Sequence, residues 1–70
     1  MVLLYSKLNT PYRIAYFRGT ATDKNLLTKM GFIIGKQLTI INKSQSDMLV
    51  STDNKQIRIA NNLAEKVLLR

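Results

Sequence analysis

A helix, a glycine-bounded turn and a strand follow one another without a linker between Thr22 and Lys43, in the run TDKNLLTKMGFIIGKQLTIINK. This junction restricts the possible folds more than any other stretch. The pattern predicts a helix that begins near Thr22, whose hydroxyl accepts from an N–H of the first turn, with Asp23 placing negative charge at the positive end of the dipole. At about 100° per residue, Leu26, Leu27 and Met30 share one stripe, while Lys24, Asn25, Thr28 and Lys29 take the other side. Gly31 then stands where helices commonly end in a left-handed residue, with Phe32 placed to fold back on the last turn. A helix of about two and a half turns is marginal alone, so packing must stabilise it. The partner comes next: after Gly35 the residues alternate, Leu38 and Ile40 on one face and Gln37, Thr39 and Ile41 on the other, as in a strand laid over the helix stripe.

The rest of the chain reads as short strands joined by polar turns. Val2, Leu3, Leu4, Tyr5 and Leu8 form an apolar opening, compatible with either an edge strand or one helical turn. After a turn at Asn9, Thr10 and Pro11, the segment YRIAYFR is the first secure strand. Strict alternation puts Ile14 with Tyr12 and Tyr16 and sets Phe17 with Ala15, whereas a bulge would turn both Ile14 and Phe17 inward. Past Lys43, SQSD is a polar turn, MLVST a returning strand, and Asp53, Asn54 and Lys55 a tight turn into QIRIA, with Ile57 and Ile59 on the same face. Asn61 to Lys66 reads as a single helical turn with Leu63 and Ala64 inward, and VLLR as a last strand. The fold class expected is mostly β with one short helix: five or six short strands in a chain of 70 residues, too small for two full sheets, argue for a small β-barrel in one domain over residues 1–70.

Composition narrows the chemistry. With no cysteine and no histidine, the chain has no disulfide, no thiolate nucleophile, no imidazole acid or base and none of the usual zinc ligands. Asp23, Asp47, Asp53 and Glu65 are the only carboxylates, and their positions at a helix start or in polar turns suit structural roles. No catalytic residue, metal ligand or cofactor site is therefore expected, and no spacing resembles a calcium loop. The glycines of GFIIG follow a helix instead of opening one, and Gly35-Lys36 is followed by Gln37 where a phosphate loop has serine or threonine at a helix N-terminus, so they read as turn residues. A chain this short also buries only about 60% of the surface its unfolded form exposes, which leaves little room for a deep site. The opening MVLLYSK is too short in apolar residues for a signal peptide or a membrane span, and a cytoplasmic protein is expected.

Eleven basic residues against four acidic ones give a formal net charge of +7, which points to an acidic partner, nucleic acid or an anionic surface. The basic residues are spread evenly from Lys7 to Arg70, as on a solvated surface. Tyr12, Tyr16 and Phe17, interleaved with Arg13 and Arg18, admit a base-stacking platform, yet aromatics are also ordinary core residues of strands.

The string LLTKMGFIIGKQLTII, followed by IRIA and then LAEKVLL, resembles the ferrous iron transport protein A (FeoA) family. The matching positions in order are Leu27, Met30, Gly31, Phe32, Gly35, Leu38, Ile40, Ile57, Ile59, Ala64, Val67 and Leu69. The sequence departs from the family pattern in a short SQSD loop, in Met48 where proline is common, and in Pro11-Tyr12 near an expected glycine. The resemblance implies an SH3-like β-barrel and a small non-enzymatic cytosolic protein that supports bacterial ferrous iron uptake by docking on the FeoB permease. On that reading Lys24, Lys29 and the apolar turn Ile33-Ile34 are the expected partner contacts, with burial against the barrel as the alternative for the two isoleucines. Two other functions remain open: a small basic nucleic-acid-binding barrel, and a detached interaction domain of an iron-dependent repressor, where similar domains occur at the C-terminal end.

Overall fold

The computed structural model describes residues 1–70. A 3-10 turn at Leu3–Tyr5 precedes β1 (Pro11–Phe17), α1 (Ala21–Met30), β2 (Gln37–Lys43), β3 (Asp47–Thr52), β4 (Lys55–Ala60), the short α2 (Asn61–Ala64) and β5 (Val67–Leu69). The strands pair antiparallel in the order β4-β3-β2-β1-β5.

β1 changes partner along its length. Pro11, Tyr12 and Arg13 pair with β2, whereas Ile14, Tyr16 and Phe17 pair with β5. The register shifts between Ile14 and Tyr16, leaving Ala15 as the extra residue of a bulge. One residue restores the inward phase, so Ile14 and Phe17 are both buried although they are three positions apart. Of the two phases open in the sequence, this is the bulged one. A second shift after Ile40 leaves Ile41 without a cross-strand partner, and Asn42 resumes pairing with Leu49. At the far end of the meander, Asp53 and Asn54 take φ of 50° and 64°, the left-handed pair of a two-residue hairpin turn between Thr52 and Lys55.

The opening residues combine both expected forms. Leu3 lies in a 3-10 turn and is fully buried, while Val2 bridges Leu68 in a strand-like contact. The Lys43 ammonium donates to the Ser6 carbonyl at 2.6 Å and ties this segment to the end of β2. Every element adds to a core that includes Leu3, Ile14, Phe17, Leu27, Phe32, Leu38, Ile40, Met48, Val50, Ile57, Ile59, Ala64, Val67 and Leu69, with Met30 and Leu63 packed at its margin.

The helix departs from the sequence reading in two places. Its cap is Thr20 and not Thr22: the Thr20 hydroxyl accepts from the Asp23 N–H at 3.1 Å, and the Asp23 carboxylate accepts from the Thr20 N–H at 3.1 Å. Threonine with an acid three residues on satisfies two orphan donors at once, whereas a cap at Thr22 would leave Asp23 no reciprocal bond. The apolar stripe is also narrower than expected. Leu27 is fully buried and Met30 half-buried, but Leu26 is 44% exposed. Asp23 lies on the sheet side of Leu26 and meets Lys66 at 3.6 Å, so the helix is rolled to put Asp23 and Leu27 toward β5. The end is as expected: Gly31 has φ of 114°, its N–H reaches the Leu27 and Thr28 carbonyls, and Phe32 donates to Leu27 and is fully buried. Gly19, at φ of 109°, has no room for a side chain, because a Cβ would lie 2.8 Å from the Asp23 carboxylate.

The Thr20 N–H first, then the Thr20 hydroxyl and the Lys66 ammonium, hold the Asp23 carboxyl below its ordinary pKa. A depressed carboxyl stabilises the fold above its unfolded pKa and ceases to do so as pH falls through the folded value. In urea denaturation, T20A is expected to lose about 1 kcal/mol and T22A at most a few tenths. The stability difference between the native chain and D23N should shrink between about pH 6 and about pH 2.

Candidate functional site

The exposed side of α1 carries a shallow depression lined by Thr22, Asn25, Leu26 and Lys29, spaced three and four residues apart as one helical face requires. Leu26 stands on this face because the roll that buries Leu27 turns it outward. Sequence periodicity assigned it to the core, and its place at the margin of the stripe was the only sign of another role. Beyond the helix end, Ile33 and Ile34 are 41% and 56% exposed, so the turn presents them to solvent instead of packing them on the barrel.

That turn is held from below. The Phe32 N–H donates to Leu27 at 3.1 Å, the Lys36 N–H to Ile33 at 3.1 Å, and the Gly35 N–H to Ile14 at 2.7 Å. The Arg13 guanidinium adds a bond to the Gly35 carbonyl at 2.8 Å. With its backbone fixed at both ends, the turn offers the two isoleucines at little further cost in ordering.

Lys24 and Lys29 are both exposed but do not converge. Five positions apart on a helix, they are separated by about 140° around its axis. Lys29 shares a face with Leu26, whereas Lys24 lies on the opposite flank. The structure therefore groups Lys29 with Leu26 near the end that leads into Ile33 and Ile34.

Ion pairing leaves most of the positive charge free. Only Arg58 with Asp47, at 3.2 Å, and Lys66 with Asp23, at 3.6 Å, are paired, so nine of the eleven basic residues lack a carboxylate partner. Asp47 also accepts from the Ser44 hydroxyl at 2.8 Å, Asp53 sits in the left-handed hairpin turn, and Glu65 follows α2. The four carboxylates do not gather into a group of three that could hold a metal ion. Among the aromatics of β1, Phe17 is buried and Tyr12 is half-buried with its hydroxyl accepting from the Lys7 N–H at 3.2 Å. Tyr16 alone of the three stands in solvent, at 54% exposure, so β1 does not form a three-ring stacking platform.

The FeoA domain family model matches the chain over residues 1–70. No curated protein sequence matches it. Among solved structures, an iron uptake regulatory protein (FeoA) is 17% identical with a TM-score of 0.91, covering 100% of this chain and 95% of that one. The zinc complex of Stenotrophomonas maltophilia FeoA, described as a prokaryotic SH3 domain protein and a candidate ferrous iron transport activating factor, is 17% identical with a TM-score of 0.82, covering 100% and 89%. A manganese-dependent transcriptional repressor is 10% identical with a TM-score of 0.90; the match covers 99% of this chain but 40% of the repressor. At these identities the likeness establishes the fold, which is mostly β, as the strand count implied, and SH3-like, as the family resemblance implied.

Exposure makes a direct prediction about stability. I34S should change the unfolding free energy by less than about 0.5 kcal/mol, whereas F32A, two residues away, should cost about 3–5 kcal/mol. Thermal denaturation of both variants checks this, and a large loss in I34S would mean that the turn packs on the core.

Proposed function

The chain belongs to the FeoA family, and on that premise we propose that it serves ferrous iron uptake as a cytoplasmic, non-enzymatic accessory that docks on the cytosolic part of an FeoB-type permease. The observation that supports the proposal is the exposure of Ile33 and Ile34 in the turn that follows α1, together with Leu26 and Lys29 on one exposed face of that helix. Scattered exposed apolar residues are ordinary, but a small domain needs most of its apolar groups inside, and here Leu26, Ile33 and Ile34 stay out on α1 and the turn that follows it. Lys29, Ile33 and Ile34 form the centre of the proposed contact. Lys24 lies on its far flank and acts at the rim, where a charge affects association rate and salt dependence more than affinity. No helix of the chain is long and apolar enough to cross a membrane; in this proposal the permease supplies the link to the bilayer. A fold shared with part of a manganese-dependent repressor is in keeping with an interaction module.

The nine unpaired cations favour a second reading, general binding of nucleic acid. Such binding would weaken steeply with salt as counterions are released.

Titration of the labelled chain against the permease's cytosolic domain, with DNA and RNA at matched salt, separates the two. Saturable binding to the permease is expected, weakened roughly ten-fold in I34D, less in K29E and least in K24E. If I34D and K29E both bind as well as the native chain, the contact lies elsewhere. Binding to nucleic acid alone would overturn the transport reading.

A further inference from the structure

The outer face of β1 and β5 carries an organised surface that docking at α1 does not use. Along β5, Val67 and Leu69 point inward, which leaves Lys66, Leu68 and Arg70 on the outer side. Tyr16 is paired opposite Leu68, and Leu68 opposite Val2, so three apolar groups form one row across β1, β5 and the N-terminal bridge. Arg13 and Arg70 lie one row away. They exchange both backbone hydrogen bonds, each at 2.9 Å, which sets their side chains directly opposite on the same face. On the other side, the Arg18 N–H donates to the Lys66 carbonyl at 2.8 Å. The apolar row thus lies between two cationic rows, each roughly 7 Å away along the strands.

No carboxylate is in ion-pair contact with Arg13, Arg18 or Arg70 on this face. Like charges placed directly opposite destabilise a strand pair, yet neither Arg13 nor Arg70 has a carboxylate partner. Lys66 is engaged by Asp23, so Arg18 is the free cation of the other row. Arg13 uses one guanidinium N–H on the Gly35 carbonyl, which anchors the group and leaves further donors available. The edge of β5 is closed, because the Leu69 N–H donates to Met1 at 2.6 Å and the Met1 amine to Leu69 at 3.2 Å. A partner must therefore lie across the face and not extend the sheet.

We propose that this face binds an extended, acidic segment of a partner protein, with one apolar side chain on the Tyr16, Leu68 and Val2 row and a carboxylate at each cationic row. In an extended chain, side chains two residues apart recur at roughly the same 7 Å spacing. The recognised pattern is acidic-x-apolar-x-acidic. Arg13 and Arg70 together offer the paired donors that hold a carboxylate, and Arg18 takes the second. The row has one aromatic ring and two aliphatic groups, Leu68 and Val2 both half-buried, which suits a side chain better than a stack of bases or insertion into lipid. This surface lies on different elements from α1 and stands whether or not the permease docks there.

The test is NMR titration of the whole chain at low salt with a peptide containing Glu-Ser-Leu-Ser-Glu, a second in which lysine replaces both acids, and oligothymidine. Saturable amide shifts confined to β1, β5 and residues near Val2 are expected with the acidic peptide alone. R13E should weaken binding roughly ten-fold and Y16S several-fold, with R13Q intermediate, while Q56E on β4 leaves it unchanged. All these residues are exposed, and amide spectra of the free variants confirm that each is folded. Shifts centred on α1, equal binding of the lysine peptide, tighter binding of oligothymidine at this face, or no saturation would each overturn the proposal.

Discussion

β1 belongs to two strand pairings at once, and the rest of the molecule depends on that division. Its first half pairs with β2 and its second half with β5, with Ile14 at the change. The Ile14 N–H donates to Lys36 at 2.9 Å and its carbonyl accepts from Gly35 at 2.7 Å, so this residue also fixes the turn that leads into β2. Because the side-chain period of a strand is two, Phe17 could not have faced the core in the same phase as Ile14 without the extra residue at Ala15. The bulge bends the sheet around a common interior, and a chain of 70 residues reaches a closed core by this route without a second sheet.

Surface properties follow from the same arrangement. Rolling α1 so that Asp23 reaches Lys66 buries Leu27 and exposes Leu26. Gly19 permits the approach, since the space a Cβ would fill is occupied by the Asp23 carboxylate and the Lys66 side chain. At the other end of the helix, the Lys55 side chain runs beside Gly31 and brings a positive charge to the negative end of the dipole. Two carboxylates are spent on structural ion pairs, and the remaining cations face solvent. A molecule of this kind has neither an enclosed pocket nor a converging set of acid and base groups. What it presents instead is exposed side chains: Leu26, Ile33 and Ile34 on α1 and the turn after it, and Tyr16 beside Leu68 on β1 and β5.

Much of the fold was legible in the chain itself. Gly31 and Phe32 announced the helix end, Leu38 and Ile40 the inward phase of β2, Ile57 and Ile59 that of β4, and Asp53-Asn54 the tight turn. These are local signals, set by backbone conformation and side-chain period. The cap was misplaced by two residues because Thr20 and Thr22 are both competent capping residues, and only the reciprocal bond with Asp23 distinguishes them. The placement of the proposed contact residues was harder to read. Lys24 and Lys29 looked like a pair in the sequence, but the helix puts them on separate flanks, and Ile33 and Ile34 could equally have packed inward.

By itself the sequence determined the order and type of the elements from β1 onward, the absence of thiol and imidazole chemistry, the excess of positive charge and, through the LTKMGF and neighbouring motifs, the family. Those properties depend on residue identity and on spacings of a few positions, which survive without knowledge of the fold. Tertiary structure decided which side of α1 is buried, that a bulge turns Ile14 and Phe17 the same way, and that Arg13 lies beside Arg70, 57 positions later. Such outcomes rest on contacts between segments far apart in the chain, where a roll of one helix or a slip of one residue redistributes the same side chains between core and surface.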